Sequence, residues 1–312
     1  MIYSIENKKL KVSVDTAGAQ LQSLYSKDTQ TEYLWQGDKT YWGGRAYNLF
    51  PFIGRMYQNT YLYDGREYTS RTHGVARYAK FALESRSATK LTFLLVANED
   101  TLKEYPFRFA YRVTFEIKDN ALTVTQEVTN TDERTLICAF GGHPGINIPF
   151  DGGKFEDYYI EFSEKSEVLR HPFSQVAPLM EGTCQPYALE GGRRLHFAHD
   201  LFDNDAVVFS QTSRHLAYKS ETSNRQVKVH FEDFKYIGFW HPGKTDAPFV
   251  CFEPWTALAA TEGVRDELER KADMTHVKPG DRAKVAYTVE ICEYRKNEDN
   301  GRRRKPFGLR RR

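Results

Sequence analysis

The sequence predicts an all-β fold in which antiparallel strands pack as a sandwich. Apolar and polar residues alternate with a period of two, as at Leu10, Val12 and Val14, which are separated by polar residues. The 19 Tyr, 21 Phe and 4 Trp suit wide, half-buried strands better than a helical bundle. Turn residues separate the runs at the roughly eight- to twelve-residue spacing that is typical of sandwiches.

Strand signals recur along most of the chain. A second alternating run covers residues 91–96, and the clearest hairpin joins 111–117 to 121–128. Asp119 and Asn120 tolerate the left-handed conformation that a tight turn requires. Helical patterns are short, at 101–105 and 264–271, and no internal repeat indicates a propeller or solenoid. Further strands are predicted at 158–163, 206–210, 214–219, 226–231, 236–240, 249–253 and 284–294.

The charge is distributed unevenly between the body and the C-terminal end. Residues 301–312 contain six Arg and one Lys, so the formal charge of +2 for the whole chain becomes −5 for residues 1–300. We expect a single β-sandwich domain over residues 1–295 and a basic, disordered tail over 296–312. An alternative is that this tail binds nucleic acid or a membrane surface. We do not favour it, because the tail contains Gly and Pro and follows a polar run.

The composition predicts a cytoplasmic protein with no membrane partner. No stretch of 18 apolar residues occurs, and the N-terminus lacks a basic region followed by an apolar core. The cysteines have no C-x-x-C spacing and are expected to be isolated buried thiols: Cys138, Cys184, Cys251 and Cys292.

Four short segments carry the residue types of one acid–base site. Three islands rich in Gly and Pro contain Arg55, His73 and His143, and glycines beside a His let a ligand approach closely. Glu253 lies between Phe252 and a Pro-Trp pair, where desolvation would raise its pKa toward the range useful for proton transfer. We predict that these side chains meet at strand ends.

Other site chemistries are not indicated. The chain lacks the glycine-rich phosphate-binding patterns G-x-G-x-x-G and G-x-x-x-x-G-K-[ST], and it lacks a G-x-S-x-G nucleophile elbow. His196 and His199, with Asp200 and Asp203, are of metal-ligand type. Because residues 193–196 have the pattern of a strand running into a loop, we expect no metal there.

The segments 48–56, 72–77, 141–147 and 251–257 resemble the aldose 1-epimerase (galactose mutarotase) family, most closely its LacX-like bacterial branch. The similarity runs over most of residues 1–292. The resemblance implies a large antiparallel β-supersandwich with an open cleft on one face. It also implies an isomerase that interconverts the α and β anomers of a small-molecule sugar, without a metal or organic cofactor.

The resemblance also implies residue roles. Glu253 is expected to be the base and His143 the acid, with His73 near the ring oxygen and Arg55 on a hydroxyl. These residue types fit the reaction independently, since mutarotation needs a base at the anomeric O1 and an acid at the ring oxygen.

The remaining candidates concern substrate binding. Asp203 matches the family's hydroxyl-binding Asp, and Asp205 is an alternative because both would point to one face of a strand. Trp240 is expected near the ligand and His241 at the rim, whereas Trp42 and Trp255 are assigned to the core.

Arg77 makes two classes of substrate possible. It resembles an arginine of the hexose-6-phosphate mutarotase branch, and a guanidinium binds phosphate oxygens with two hydrogen bonds. The aldose is therefore either free or phosphorylated. A third possibility is a carbohydrate-binding protein without turnover, against which the intact pair Glu253 and His143 argues.

Overall fold

The structure is a computed structural model that describes residues 1–293, so the predicted tail at 296–312 lies outside the described residues. About 48% of the chain is strand and 8% is helix, which confirms the all-β prediction. No helix within residues 1–293 is long and apolar enough to cross a membrane.

The elements follow one another as antiparallel strands with short connections. The strands are β1 (Ile2–Glu6), β2 (Leu10–Asp15), β3 (Gln20–Ser26), β4 (Thr31–Glu32), β5 (Ala46–Leu49), β6 (Thr60–Tyr63), β7 (Arg66–Thr69), β8 (Ala82–Arg86), β9 (Lys90–Val96), β10 (Phe109–Lys118), β11 (Ala121–Asn130), β12 (Leu136–Cys138), β13 (Gly141–Asn147), β14 (Tyr158–Phe162), β15 (Leu169–His171), β16 (Gln185–Pro186), β17 (Arg194–His196), β18 (Val207–Ser210), β19 (His215–Ser220), β20 (Arg225–His230), β21 (Tyr236–Trp240), β22 (Phe249–Trp255), β23 (Thr275–Val277) and β24 (Arg282–Glu293). The helix α1 is Glu99–Glu104, and 3₁₀ turns lie at Tyr57–Asn59, Ala76–Tyr78, Phe155–Asp157, His199–Phe202 and Leu268–Arg270. Every predicted strand overlaps an observed one.

Two large sheets form the body of the molecule. The nine-stranded sheet has the order β17-β14-β19-β20-β24-β11-β10-β9-β8, and the seven-stranded sheet has the order β16-β15-β18-β21-β22-β13-β5. Their inner faces meet where Phe252 of the smaller sheet packs edge to face on Tyr287 of the larger, with ring centroids 5.7 Å apart. The antiparallel sandwich is therefore confirmed.

The predicted hairpin is observed with slightly longer strands. β10 and β11 pair from Lys118 with Ala121 to Phe109 with Asn130, and Asp119 adopts the predicted positive φ of 52°. The helical prediction at 101–105 is confirmed by α1, which Asn98 caps through its side chain. The prediction at 264–271 is met only by a single 3₁₀ turn, Leu268–Arg270.

Burial separates the strands into two kinds. β11 alternates between buried and half-buried residues along its whole length, whereas β22 is buried at every position. Cys138, Cys251 and Cys292 are buried free thiols as predicted, but Cys184 is exposed. A strand buried on both faces has no solvent-exposed face, so any polar side chain on it needs a hydrogen-bonding partner or a function.

Candidate active site

A cleft of about 250 Å³ opens over the seven-stranded sheet. It brings together six of the seven side chains predicted for the site, namely Arg55, His73, Arg77, His143, Trp240 and Glu253. These residues come from five separate parts of the chain, and neighbouring strands of the sheet place His143, Trp240 and Glu253 side by side.

Strand register places His143 opposite Glu253. β13 and β22 are antiparallel, and Gly141 pairs with Trp255 while Gly145 pairs with Cys251, so the two residues halfway between must face each other. Directly opposed side chains have Cβ atoms about 5 Å apart. His143 Nε2 accordingly lies 3.2 Å from Glu253 Oε1. On the other side of Glu253, Gly238 is its partner in β21 and contributes no side chain.

The pair is removed from water, and burial shifts both protonation equilibria. Glu253 is 2% exposed and His143 is 6% exposed. Burial, followed by the nearby Asp205 carboxylate, holds the pKa of Glu253 well above its usual value. Burial, followed by the positive charge of Arg77, holds the pKa of His143 far below its usual value. Both shifts favour neutral side chains, in which the carboxyl group holds the one proton that the pair can exchange.

His73 has its tautomer fixed by the backbone. Its Nδ1 accepts a hydrogen bond of 3.0 Å from the Gly54 amide, so in the neutral ring Nε2 carries the proton. Burial, followed by the electrostatic coupling to the neighbouring His143, keeps the pKa of His73 well below its usual value. The ring lies edge-on to His143 with centroids 5.6 Å apart. His73 can therefore offer a neutral N–H donor beside the pair.

An aromatic wall surrounds His143, and it includes Trp42, which was wrongly assigned to the core, and Tyr47, which the sequence did not indicate. Trp42 stacks on the His143 ring at 4.9 Å and meets Trp240 edge to face at 5.5 Å. Tyr47 pairs with His143 across β5 and β13. Gly44 lets these two rings approach, since a Cβ there would lie 2.5 Å from both Trp42 and Tyr47. Glycines between aromatic residues were the signal that could have identified them.

Arg77 reaches the cleft as a half-buried cation. Its guanidinium lies 3.9 Å from the centre of the Tyr47 ring and 4.8 Å from that of Tyr78. Within residues 1–293, neither Arg77 nor Arg55 forms an ion pair with a carboxylate. Both guanidinium groups are thus available to a ligand.

Asp205, and not Asp203, lines the cleft. Asp203 follows the 3₁₀ turn His199–Phe202, and its carboxylate accepts a hydrogen bond of 2.8 Å from the Lys244 amide. Asp205 has a positive φ of 68° and precedes β18, so the premise that both residues share one strand face is wrong. The candidate for hydroxyl binding is consequently Asp205.

His241 does not lie at the rim as predicted. It is fully buried, donates from Nδ1 to the Pro242 carbonyl oxygen at 2.7 Å and packs against Phe202 at 4.5 Å. Among the predicted non-ligands, His196 pairs with Glu190 at 2.6 Å. Within residues 1–293, the one cluster of metal-ligand type comprises His215, His230 and Glu232, none of which lines the cleft.

Comparison with known proteins agrees with this geometry. A profile of the aldose 1-epimerase family matches residues 1–289. The plasmid-encoded protein LacX of Lactococcus lactis subsp. lactis is 33% identical over 300 residues, which cover 93% of this chain and 99% of the relative. The predicted family resemblance is confirmed.

Solved structures of similar proteins share the fold. A galactose mutarotase related enzyme from Lactobacillus acidophilus is 32% identical with a TM-score of 0.89, over 94% of this chain and 98% of that one. A galactose mutarotase-like protein from Lactobacillus casei ATCC 334 is 31% identical with a TM-score of 0.88, over 94% of this chain and 100% of that one.

Proposed function

This chain belongs to the aldose 1-epimerase family, and we propose that its buried pair of Glu253 and His143 interconverts the α and β anomers of an aldose. The chain is an isomerase of the mutarotase type. The observation that carries the proposed mechanism is the 3.2 Å contact between His143 Nε2 and Glu253 Oε1 at the cleft.

The proposed reaction moves two protons and breaks one bond. Glu253 accepts the proton of the anomeric O1 while His143 donates its Nε2 proton to the ring oxygen, the C1–O5 bond breaks, and C1 becomes an aldehyde. After rotation about C1–C2, the ring oxygen attacks the other face of C1. The ring hydroxyl then returns its proton to His143, and Glu253 returns a proton to O1, so the enzyme is regenerated.

The shifted pKa values suit this exchange. Ring opening starts from the carboxylate and imidazolium and leaves both groups neutral, which is the state that burial favours. A bound aldose favours the starting state, because O1–H donates to a carboxylate and the ring oxygen accepts from an imidazolium. Desolvation and the nearby Arg77 make that imidazolium a strong acid toward the weakly basic ring oxygen.

Neighbouring side chains would orient the sugar. We assign the neutral Nε2–H of His73 to the ring oxygen region, and Arg55 and Asp205 to hydroxyl groups. Trp240 would cover the apolar side of the ring, and Trp42 supports it through an edge-to-face contact. These contacts would place C1 at the pair, and they would supply the positioning on which the rate depends.

The test is anomerisation measured by polarimetry and by NMR exchange over a panel of aldoses and their 6-phosphates. Glu253→Gln keeps the size of the side chain while removing the proton acceptor, so we expect a rate loss of about 10²- to 10⁴-fold with sugar binding retained. A Gln variant that turns over near the wild-type rate would remove Glu253 from the mechanism.

A matched control is Glu32→Gln. Glu32 is half-buried with a raised pKa, caused first by burial, but it accepts hydrogen bonds from Ser23 and backbone amides and does not line the cleft. If the loss of any partly buried carboxylate were enough to slow turnover, both variants would be slow. We expect Glu32→Gln to leave turnover of the folded enzyme unchanged.

The unpaired guanidinium of Arg77 supports a second candidate substrate, a hexose 6-phosphate. Arg77→Ala would then remove a charge-assisted contact and weaken apparent affinity for the phosphate about 10- to 100-fold, with glucose or galactose unaffected. Equal kinetics on both sugars before and after the change would favour the free aldose.

We also propose that residues 1–295 form the catalytic unit of a cytoplasmic protein. The basic residues 301–312 carry positive charge, whereas residues 1–300 have a formal charge of −5. Deleting them should leave anomerisation intact and abolish salt-sensitive binding to polyanions. Loss of activity would show that the tail belongs to the catalytic unit.

A further inference from the structure

Trp255 lies two residues beyond Glu253 on β22, and the mechanism above gives it no role. The sequence assigned it to the core, and its side chain is indeed buried, with 2% of the residue exposed. It also lines the cleft. Side chains at positions i and i+2 of a strand point to the same face, so the indole ring and the Glu253 carboxyl group share one side of β22.

Two glycines on the neighbouring strands make room for the indole ring. Gly141 of β13 is opposite Trp255, and a Cβ there would lie 3.0 Å from the indole Cδ1 atom. Gly238 of β21 is opposite Glu253, and a Cβ there would lie 3.5 Å from the indole Cζ2 atom and 3.4 Å from the Cβ of Glu253. Along one edge of an indole the atoms Cδ1, Nε1, Cε2 and Cζ2 follow one another. The edge that carries the N–H group therefore runs from Gly141 to the place where Glu253 and Gly238 meet.

The indole N–H group of Trp255 is not used in the packing of the ring. Within residues 1–293, its Nε1 atom is buried and has no hydrogen-bond partner. A buried donor without a partner is unfavourable, and a Phe would fill much of the same space without one. The Nε1–H of Trp35, by contrast, donates to the Trp42 carbonyl oxygen at 2.8 Å. An unpaired donor beside a titratable group suits a partner that is charged in only part of a reaction cycle.

The carboxyl group of Glu253 is the acceptor next to this donor. Burial, followed by the Asp205 carboxylate, raises the pKa of Glu253, and the neighbouring Trp255 N–H opposes that rise. The N–H does so although it does not form a complete hydrogen bond in this structure. A neutral carboxyl group gains little from such a donor, whereas a carboxylate gains a charge-assisted hydrogen bond. The donor thus favours the form of Glu253 that accepts a proton.

Other titratable and charged groups also face Glu253, and none of them duplicates this donor. His143 Nε2 lies 3.2 Å from Oε1, and a carboxylate accepts at both oxygens, so Oε2 can accept from the indole. Gly238, the partner of Glu253 in β21, carries no side chain. The remaining groups near Glu253 are Asp205 before β18, Tyr218 of β19, Cys251 of β22, and His73, Arg55 and Arg77 of the cleft wall.

We propose that the indole N–H of Trp255 donates a hydrogen bond to the Glu253 carboxylate and so favours the proton-accepting form of this residue. Trp255 is then a positioning residue, because it acts through Glu253 and not on the sugar. This inference rests on the proposed anomerase function, in which Glu253 is the base. It adds the means by which a buried carboxyl group, whose pKa is raised, still supplies a carboxylate for the reaction.

The direct test follows the four indole N–H groups of the protein by ¹H–¹⁵N NMR from about pH 5 to pH 10. The Trp255 signal is the one that Trp255→Phe removes. We expect its proton to move downfield as Glu253 ionises, since a hydrogen bond to a carboxylate is stronger than one to a neutral carboxyl group. The movement should be absent in Glu253→Gln. The Trp35 signal is the internal control and should not follow this titration, because its N–H donates to a carbonyl oxygen.

Trp255→Phe also tests the consequence for turnover. Loss of the hydrogen bond should raise the pKa of Glu253, so the limb of the kcat/KM profile in which activity falls as the pair loses its proton should move up by about one pH unit. At neutral pH kcat/KM should fall about 3- to 10-fold, because less carboxylate is present and its greater basicity offsets only part of that loss. The matched control, Trp35→Phe, removes an indole N–H outside the cleft and should leave the limb in place.

Four results would overturn the inference. The first three are a Trp255 signal that does not move with pH, a signal that moves equally in Glu253→Gln, and an unmoved limb in folded Trp255→Phe. The fourth is a signal that moves on addition of galactose in Glu253→Gln as well, which would assign the N–H to the sugar. If Trp255→Phe does not fold, the signal is assigned by substituting the other three Trp residues. If no sugar is anomerised, the proposed function fails separately, and the pH titration still decides whether Trp255 bonds Glu253.

Discussion

The β10–β11 hairpin and the β13–β22 pair are both antiparallel, yet they obey different rules. β11 buries every second residue, and its outward positions are half-buried. β13 and β22 are buried at every position except Asn147, and they place a Glu beside a His in that dry environment. The β10–β11 pair therefore stabilises the fold, whereas the β13–β22 pair buries polar groups that lower stability and that can take part in catalysis.

A buried side chain links the two regions by a hydrogen bond. Gln126 of β11 is fully buried, accepts a hydrogen bond of 2.9 Å from the Tyr111 hydroxyl and donates one of 2.8 Å to the Gly141 carbonyl oxygen. That carbonyl lies two residues before His143. The scaffold thus fixes the backbone that carries the site. Substitutions in the site should change turnover more than stability, and substitutions in the hairpin should change stability more than turnover.

The largest effect on turnover is expected from His143→Asn. Removing the proton donor should lower kcat by about 10²- to 10⁴-fold, more than it weakens binding. Because a buried titratable group is lost, the thermal unfolding midpoint should stay equal or rise. Steady-state anomerisation and calorimetry check both parts. An affinity collapse with unchanged kcat would reassign His143 to binding.

The opposite signature is expected from Leu122→Ala in β11. Leu122 is fully buried, so truncation should lower the free energy of unfolding by about 2–5 kcal/mol. The kcat of the folded protein should stay at the wild-type value. Urea unfolding and anomerisation at the same temperature measure the two quantities. A fall in kcat without a loss of stability would remove the distinction between the two regions.

A smaller effect separates Asp205 from Asp203. Asp205→Asn should raise KM by roughly tenfold, because a charged hydrogen-bond acceptor at the cleft contributes about 1.5–3 kcal/mol. Asp203→Asn, the matched control, should leave KM unchanged, since its carboxylate bonds the Lys244 amide outside the cleft. The reverse result would restore the residue chosen from sequence.

The smallest effect concerns pH. The pKa of His143 is lowered, first by burial, so a second proton binds only well below pH 6.5; the pKa of Glu253 is raised, first by burial, so the single proton leaves only well above pH 4.5. The limb of the kcat/KM profile in which activity falls on acidification, as the pair gains a second proton, is therefore expected well below pH 6.5, and the limb in which activity falls as the pair loses its proton is expected well above pH 4.5. An acidic limb with an apparent pKa near 6.5 would contradict the lowered pKa of His143.

The same contrast explains what the sequence could predict. The hairpin could be predicted because alternation with period two indicates which residues are buried. Glu253 and His143 could be predicted from their motifs. Tyr47 was missed because β5 is only four residues long and carries no alternation, and Trp42, which precedes β5, was assigned to the core. Asp203 was preferred to Asp205 on the family resemblance, and the assumption that both residues lie on one strand face was wrong because a 3₁₀ turn and a positive φ occur there. Which of these residues faces the cleft depends on tertiary structure, and the local sequence pattern does not show it.

The most direct test of the account is a double-mutant cycle on the catalytic pair. Residues that act as one proton-exchange unit are strongly non-additive, so Glu253→Gln combined with His143→Asn should be hardly slower than the slower single variant. Anomerisation rates of a ¹³C-labelled aldose by NMR exchange, corrected for the spontaneous reaction, provide the measurement. Losses that multiply in the double variant would show that Glu253 and His143 act independently, and they would contradict the account.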